Sequence, residues 1–285
     1  MSLLSSKSII ITGGSLGIGL AIAKKCATEG ARVIIAARNR NDLDKALVEI
    51  KEISQIEHMI YALDVSKYEM IKKFSNWCTS NKIEINGLVN CAGVYGPIGK
   101  TTEVNMEKFT EAVQINFLGT VYMCNVFAPL LKSEGRKKIV NYSGGGAATP
   151  FANYSAYATS KIAIVRFTEN LAIELSEDKI DVNCVAPGFV NTRLHAETIA
   201  KGPDDAGSSF YESTKKQIET GGVPPEKAAN LTAFLLSEKS DGISGKFISA
   251  PWDPWQTDDF QELLKKDNDF ATLRRIDNKT YFKKI

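Results

Sequence analysis

Seven short apolar runs punctuate the chain: residues 8–12 (SIIIT), 32–37 (RVIIAA), 59–63 (MIYAL), 87–89 (GLV), 138–142 (KIVNY), 180–185 (IDVNCV) and 246–250 (KFISA). They are rich in β-branched residues and lack the apolar–polar alternation of a half-exposed strand, which predicts strands buried on both faces. Longer stretches at 17–29, 41–54, 67–80 and 105–132 separate the first five and repeat their apolar positions at helical spacing. After Tyr157, the positions Ile164, Val165, Thr168, Leu171, Ala172 and Leu175 repeat in the same way and predict another helix. Strand and helix in alternation predict an α/β chain with a parallel, doubly wound sheet. Residues 191–226 carry Gly, Asp, Ser and Thr without a strong period and read as a long functional loop. The tail 251–285 opens PWDPW and reads as one short helix or two, with Trp252, Trp255 and Phe260 packed on something.

Composition changes this picture little. Of 285 residues, 44% are hydrophobic and 24% charged, and the formal net charge of +2 gives no ground for a nucleic-acid partner. Arg136, Lys137 and Lys138 read as a solvated turn. No uninterrupted apolar run approaches the roughly 20 residues of a membrane span, and the N-terminus lacks the apolar core of a secretory signal. Five cysteines without C-x-x-C spacing (Cys26, Cys78, Cys91, Cys124 and Cys184) fit buried thiols in a reducing cytoplasm. No metal-ligand spacing stands out.

Candidate chemistry sits where the predicted strands end. TGGSLGIG, Thr12 to Gly19, joins the first strand to a helix. Glycines there let the backbone approach a pyrophosphate, and the helix start offers it free N–H groups. The spacing, Gly13 to Gly17 to Gly19, is not the commonest dinucleotide fingerprint. The second strand ends Ala37-Arg38-Asn39; with no acidic residue at its tip and Arg38 following, it favours a ribose 2′-phosphate, hence NADP(H) over NAD(H). The alternative is that Arg38 and Arg40 are exposed turn residues. Tyr157 and Lys161 stand four apart on one helical face. An ammonium beside a phenol favours the phenolate and lowers the phenol's ordinary pKa of ~10 towards useful acid/base chemistry.

In order along the chain stand TGGSLGIG, Asp64-Val65, NCAG (Asn90 to Gly93), Asn116, Ser143, Tyr157-x-x-x-Lys161 and Pro187-Gly188. Together, over residues 7–250, they closely resemble the short-chain dehydrogenase/reductase family in its single-domain form. The resemblance implies a Rossmann-type sheet of seven parallel strands with helices on both faces, NAD(P) as cofactor, a small carbonyl or alcohol substrate, and a homodimer or homotetramer. The matching part makes a single catalytic domain, 1–251; the extension beyond it, 252–285, is expected to pack over the 191–226 segment of its own or a neighbouring subunit. The cofactor set it implies is Gly13, Ser15, Leu16, Gly17, Ile18, Gly19, Arg38, Asn39, Asp64, Val65, Asn90, Ala92, Gly93, Pro187, Gly188, Val190 and Thr192, with Tyr157 and Lys161. Asn116 would hold a water behind Lys161, and Tyr157 would be the general acid/base.

The sequence departs from the family's pattern in two places. Ser143 lies fourteen residues before Tyr157, one more than the family's substrate-orienting serine, whose place holds Gly144. An extra residue in the glycine turn 144–146 would let Ser143 serve; otherwise the serine is missing. The end of the chain, SAPWDPW and the tail beyond it, replaces the family's glycine-rich turn. The alternatives are a dinucleotide-binding scaffold that has lost catalysis, and a nucleotide-sugar epimerase, against which the glycine spacing and short C-terminal part argue. Substrate choice would lie in 94–100, 147–156 and 189–222, with Arg193 and His195 as weak candidates for meeting an anion.

Overall fold

A computed structural model of the chain describes residues 2–131 and 135–276; residue 132 of the expected fourth helix and 277–285 of the tail lie outside them. The apolar runs become β1 (Ser8–Thr12), β2 (Arg32–Ala37), β3 (Met59–Ala62), β4 (Gly87–Asn90), β5 (Lys137–Tyr142), β6 (Ile180–Ala186) and β7 (Phe247–Ser249). They form one parallel sheet in the order β3-β2-β1-β4-β5-β6-β7. β1, β4 and β5 are buried along their whole length, which is why they read as continuous apolar runs. One face is covered by α1 (Gly17–Thr28), α2 (Arg40–Ile53) and α9 (Pro225–Leu236). The other is covered by α3 (Tyr68–Ser80), the helical run through α4 (Met106–Val113) and α5 (Gly119–Phe127), and α6 (Ser155–Glu174). The order reverses between β1 and β4, so a crevice opens there at the strands' carboxyl ends.

The run expected as one helix over 105–132 is broken. Gln114–Leu118 forms a π-turn between α4 and α5, and 3-10 geometry follows over Ala128–Leu131. Residues 106–131 are apolar and long enough to span a bilayer by composition. Here Ile115, Met123, Cys124 and Phe127 are core residues under the sheet.

Three other expectations are corrected. Residues 193–219 are helices, α7 (Arg193–Ala206) and α8 (Ser208–Glu219), not a loop. Gly202, at φ 76° and followed by Pro203, breaks α7, and the buried positions are His195, Thr198, Ala206 and Thr214. Too few of these are apolar to leave a period in the sequence. The basic triplet is no solvated turn: Lys138 is 1% exposed, and its Nζ donates to Asp181 Oδ2 (2.8 Å), Asp241 Oδ1 (2.7 Å) and Ser240 Oγ. Asp181, its register partner on β6, also accepts from Arg136.

The third correction is the tail. Trp255 and Phe260 are buried, the former 5.6 Å from Phe234 of α9, but Trp252 is 79% exposed. After α10 (Asp258–Lys266) the described part of the tail, to residue 276, crosses the outer edge of β7 to α6 and not residues 191–226 of its own chain. Phe247 N–H donates to Ala271 O (2.8 Å) and Ser249 N–H to Asp253 Oδ2 (2.7 Å). Lys246 Nζ donates to Asp267 O and Phe270 O, and Arg274 pairs with Glu169 at 2.6 Å. These contacts satisfy edge groups that solvent would otherwise take.

Candidate active site

At the carboxyl ends of β1, β2 and β4 lies a cleft of about 410 Å³. Gly13, Ser15, Leu16, Gly17, Ile18, Gly19, Arg38, Asn39, Asp64, Val65, Ala92, Gly93 and Thr192 all line it, as expected from the sequence. Ala36, Ala37, Asp42, Leu63, Cys91, Val94, Ile115, Arg193 and Leu194 complete the lining. The glycines are there for steric reasons. Gly13 has φ +66°, and a Cβ on it would stand 2.9 Å from Ala92 Cα; one on Gly19 would collide with Gly13 O. The loop therefore folds back on itself and presents backbone to the cleft at the start of α1, the arrangement an elongated pyrophosphate requires. Thr12, unremarked in the sequence, pins the opposite wall: its Oγ1 accepts from the N–H groups of Cys91 (3.1 Å) and Ala92 (3.3 Å).

Arg38 is exposed at the tip of β2 and has no ion-pair partner among the described residues, whereas Arg40 is held by Asp44. Asn39 caps α2 by accepting from Asn41 and Asp42 N–H. Asp64 accepts from the N–H and Oγ of Ser66.

Six expected cofactor residues, Asn90, Tyr157, Lys161, Pro187, Gly188 and Val190, do not line the cleft. Asn90 is 3% exposed, and its amide donates inward to Asn141 Oδ1 (2.9 Å), bracing β4 against β5. Gly188 turns towards the tail, where a Cβ on it would meet Pro251 Cγ at 2.7 Å, and Pro187 before it is buried. Val190 is buried in a bridge to Gly222.

Tyr157 lies in the first turn of α6 and Lys161 one turn on, with Nζ 5.4 Å from the phenol ring centroid. Lys161 Nζ donates to Tyr142 O at 2.9 Å. A Cβ on Gly93 would come within 3.4 Å of Lys161 Nζ and 3.2 Å of Asn116 Oδ1, so both groups converge on one cleft-lining glycine. Asn116 sits in the π-turn, a feature frequent at functional sites. Its Oδ1 accepts from Val94 N–H (2.8 Å), and its Nδ2 donates to Val94 O (2.9 Å) and Ser160 Oγ (3.0 Å). Both amide hydrogens are thus committed, so the water expected behind Lys161 has at most one Oδ1 lone pair to use.

The electrostatics run opposite to the simple expectation. Burial pushes the Tyr157 phenol up, with a smaller contribution from Cys91. Burial also lowers Lys161 from 10.5 to about 8. Desolvation of both groups outweighs the ammonium's pull at this separation.

The reason for the burial is an aromatic enclosure. Tyr95 meets Tyr157 edge-to-face at 4.9 Å, and Phe151, Tyr154 and Phe210 stack behind them. His195 lies on Phe189 at 3.7 Å and hydrogen-bonds Tyr95 Oη at 3.1 Å. Burial lowers His195 to about 4, so it is neutral at pH 7 and offers an anion no charge. The segments 94–100, 147–156 and 189–222 do converge here, but with an uncharged face. Ser143 corrects the sequence reading further: the residue is 2% exposed and its Oγ donates to Lys161 O at 3.1 Å, within the α6 packing. Gly144 is the residue against the phenol; a Cβ there would collide with Tyr157 Oη.

Comparison with known proteins agrees with this architecture. Residues 7–202 match the short chain dehydrogenase family. An uncharacterized oxidoreductase of Bacillus subtilis is 30% identical over 88% of this chain and 91% of its own. A short chain dehydrogenase structure from Shigella flexneri, complexed with NADP, is 25% identical, with TM-score 0.77 over 87% of this chain and 98% of the other. The structure of an NAD+-bound xylitol dehydrogenase, 24% identical, shares the fold at TM-score 0.79 over 86% of this chain and 98% of that one. With its seven-stranded parallel sheet, its glycine cleft and its Tyr157–Lys161 helix, this chain belongs to the short-chain dehydrogenase/reductase family of oxidoreductases.

Proposed function

We propose that the chain interconverts a ketone and a secondary alcohol with a nicotinamide dinucleotide, NADP(H) in preference to NAD(H), and that Tyr157 is the general acid/base. The observation that carries this reading is the Tyr157 hydroxyl. It is largely buried yet makes no hydrogen bond among the described residues, one turn from a lysine whose Nζ reaches the cleft-lining Gly93. In reduction, a bound reduced nicotinamide, held along the cleft by the Gly13–Gly19 loop, would supply a hydride to the carbonyl carbon. The π pair moves to oxygen, which takes the Tyr157 proton, and solvent reprotonates the phenolate. Lys161 supplies positive charge beside the phenol, Asn116 fixes the backbone of Val94 at the cleft wall, and the aromatic enclosure excludes water.

The free guanidinium of Arg38, in a cleft wall that offers Ala37 at the tip of β2, supports the NADP(H) preference. The uncharged enclosure favours a neutral substrate. We place the protein in the cytoplasm, where its free thiols Cys26, Cys78, Cys124 and Cys184 stay reduced inside the fold. We expect a homodimer or homotetramer, for which Ile162 and Ile173, exposed on α6, offer apolar contact.

Fluorescence titration with NADH and NADPH, followed by a panel of ketones and alcohols, tests the proposal. NADPH should bind more tightly, and Arg38→Ala should remove most of the difference. Binding of neither nucleotide would sink the reading; much tighter NADH would sink the preference. A second reading, a dinucleotide-binding scaffold without catalysis, is favoured by the turning away of the Ser143 hydroxyl. Turnover of any ketone or alcohol decides between the two.

A further inference from the structure

We infer that the backbone N–H groups of Gly144, Gly145 and Gly146, rather than a side-chain hydroxyl, hold the substrate oxygen opposite Tyr157. This rests on the proposed ketone–alcohol chemistry of the same site. A carbonyl that receives a hydride gathers negative charge on its oxygen, and fixed donors aimed at that charge lower the barrier. Tyr157 Oη is one such donor. The side chains around it leave little else: Ser143 Oγ is spent on Lys161 O, and Tyr95 Oη is engaged with His195 Nδ1. Lys161 Nζ gives one of its three hydrogens to Tyr142 O and stands 5.4 Å from the phenol ring centroid.

The backbone beside the phenol is different. Gly144 approaches so closely that Tyr157 Oη fills the space of a side chain at 144. None of the N–H groups of Gly144, Gly145 and Gly146 makes a hydrogen bond among the described residues, whereas the N–H of Ser143 before them goes to Val185 O and that of Ala147 after them to Gly144 O. Of these free donors, that of Gly144 belongs to the residue packed against a phenol that is 8% exposed and itself unpartnered, and those of Gly145 and Gly146 follow it in the same turn. Successive N–H groups in a tight turn form an anion-holding concavity. Glycine is required here because a Cβ at 144 would collide with the catalytic oxygen, and Gly146 has φ +84° with Ala158 Cβ only 2.5 Å from a Cβ built on it. Gly145 carries neither restriction: its φ is not positive, and a Cβ would meet only Phe151, at 3.5 Å.

Gly145 thus permits a direct test. Gly145→Ala keeps the N–H and Gly145→Pro removes it. On a ketone turned over by the wild-type enzyme, the Pro variant should show kcat lower than the Ala variant by ~10²-fold. NADPH affinity and thermal midpoint should match between the two. Equal kcat in two folded variants would overturn the inference while leaving the ketone–alcohol reading intact. Independently, in the wild-type protein labelled with ¹⁵N-glycine, saturation with that ketone should move the amide protons of residues 144–146 downfield. Unmoved amides would overturn the inference without reference to rate. A wild-type protein that binds NADPH but turns over no ketone or alcohol would remove the proposed function and this inference with it.

Discussion

At the scale of single residues, Tyr157 and Lys161 were legible because their spacing is a property of the helix that carries them. What the sequence could not convey is which way a side chain turns. Ser143 was the natural candidate for a substrate-facing hydroxyl, but the packing of β5 against α6 draws it to Lys161 O. Ser143→Ala should accordingly lower the thermal midpoint and reduce kcat less than tenfold, as measured by thermal unfolding and steady-state kinetics. Tyr157→Phe, which removes the only proton donor at its position, should cost about 10²–10⁴-fold in kcat with nucleotide binding retained. Lys161, lowered to about 8, is charged below that pH and neutral above it. Ketone reduction should therefore fall as pH rises through about 8. The same shift bears on stability. Between about 8 and the ordinary value of 10.5 the unfolded chain binds more protons at this site than the folded one, so its contribution to stability rises with pH across that window. Below it the penalty is complete, and a pH series of unfolding midpoints for wild type and Lys161→Met would isolate it.

At the scale of elements, apolar content decided what was readable. The strands declared themselves because burial on both faces demands unbroken runs of β-branched residues. α7 and α8 did not, because they bury His195, Thr198 and Thr214 where a core helix would bury leucines, and Gly202-Pro203 interrupts the period. The same limitation hid the start of β5. Lys138 lies inside the sheet because Asp181 is its neighbour in register on β6. A cross-strand partner more than forty residues away is invisible to local composition. Asp181→Ala should leave the Lys138 ammonium, 2% exposed in its side chain, with Asp241 as its one remaining carboxylate, and cost about 1.5–3 kcal/mol of stability. The double variant Lys138→Met/Asp181→Leu should recover most of that loss in denaturant titration; a double variant as unstable as the single would show that the pair does not act as a unit.

At the scale of the whole molecule, the family's motifs, in their order, sufficed to specify the seven-stranded sheet and the cofactor cleft. At the end of the chain the short helix and the packing of Trp255 and Phe260 were readable, but where the segment docks was not, since that depends on contacts with β7, α6 and α9. Removal of 252–285 should bare the outer edge of β7 and take Trp255 and Phe260 from the core, each worth about 2 kcal/mol or more. The expected result is a lower unfolding midpoint together with self-association through the exposed strand, visible by light scattering. A truncated protein of unchanged midpoint and size would show that the tail is dispensable.

The clasp of the tail also sets an order of events during synthesis. Arg274 reaches Glu169 across 105 positions of sequence, and Ala271 meets a strand that is itself the last of the sheet. The residues that line the nucleotide cleft come far earlier, the last of them being Leu194. On the ribosome every cleft-lining residue is therefore made before α9, which backs α1, and before the last strand. Until the final segment leaves the exit tunnel, nothing in the chain covers that edge, and the open sheet is the form a chaperone would meet.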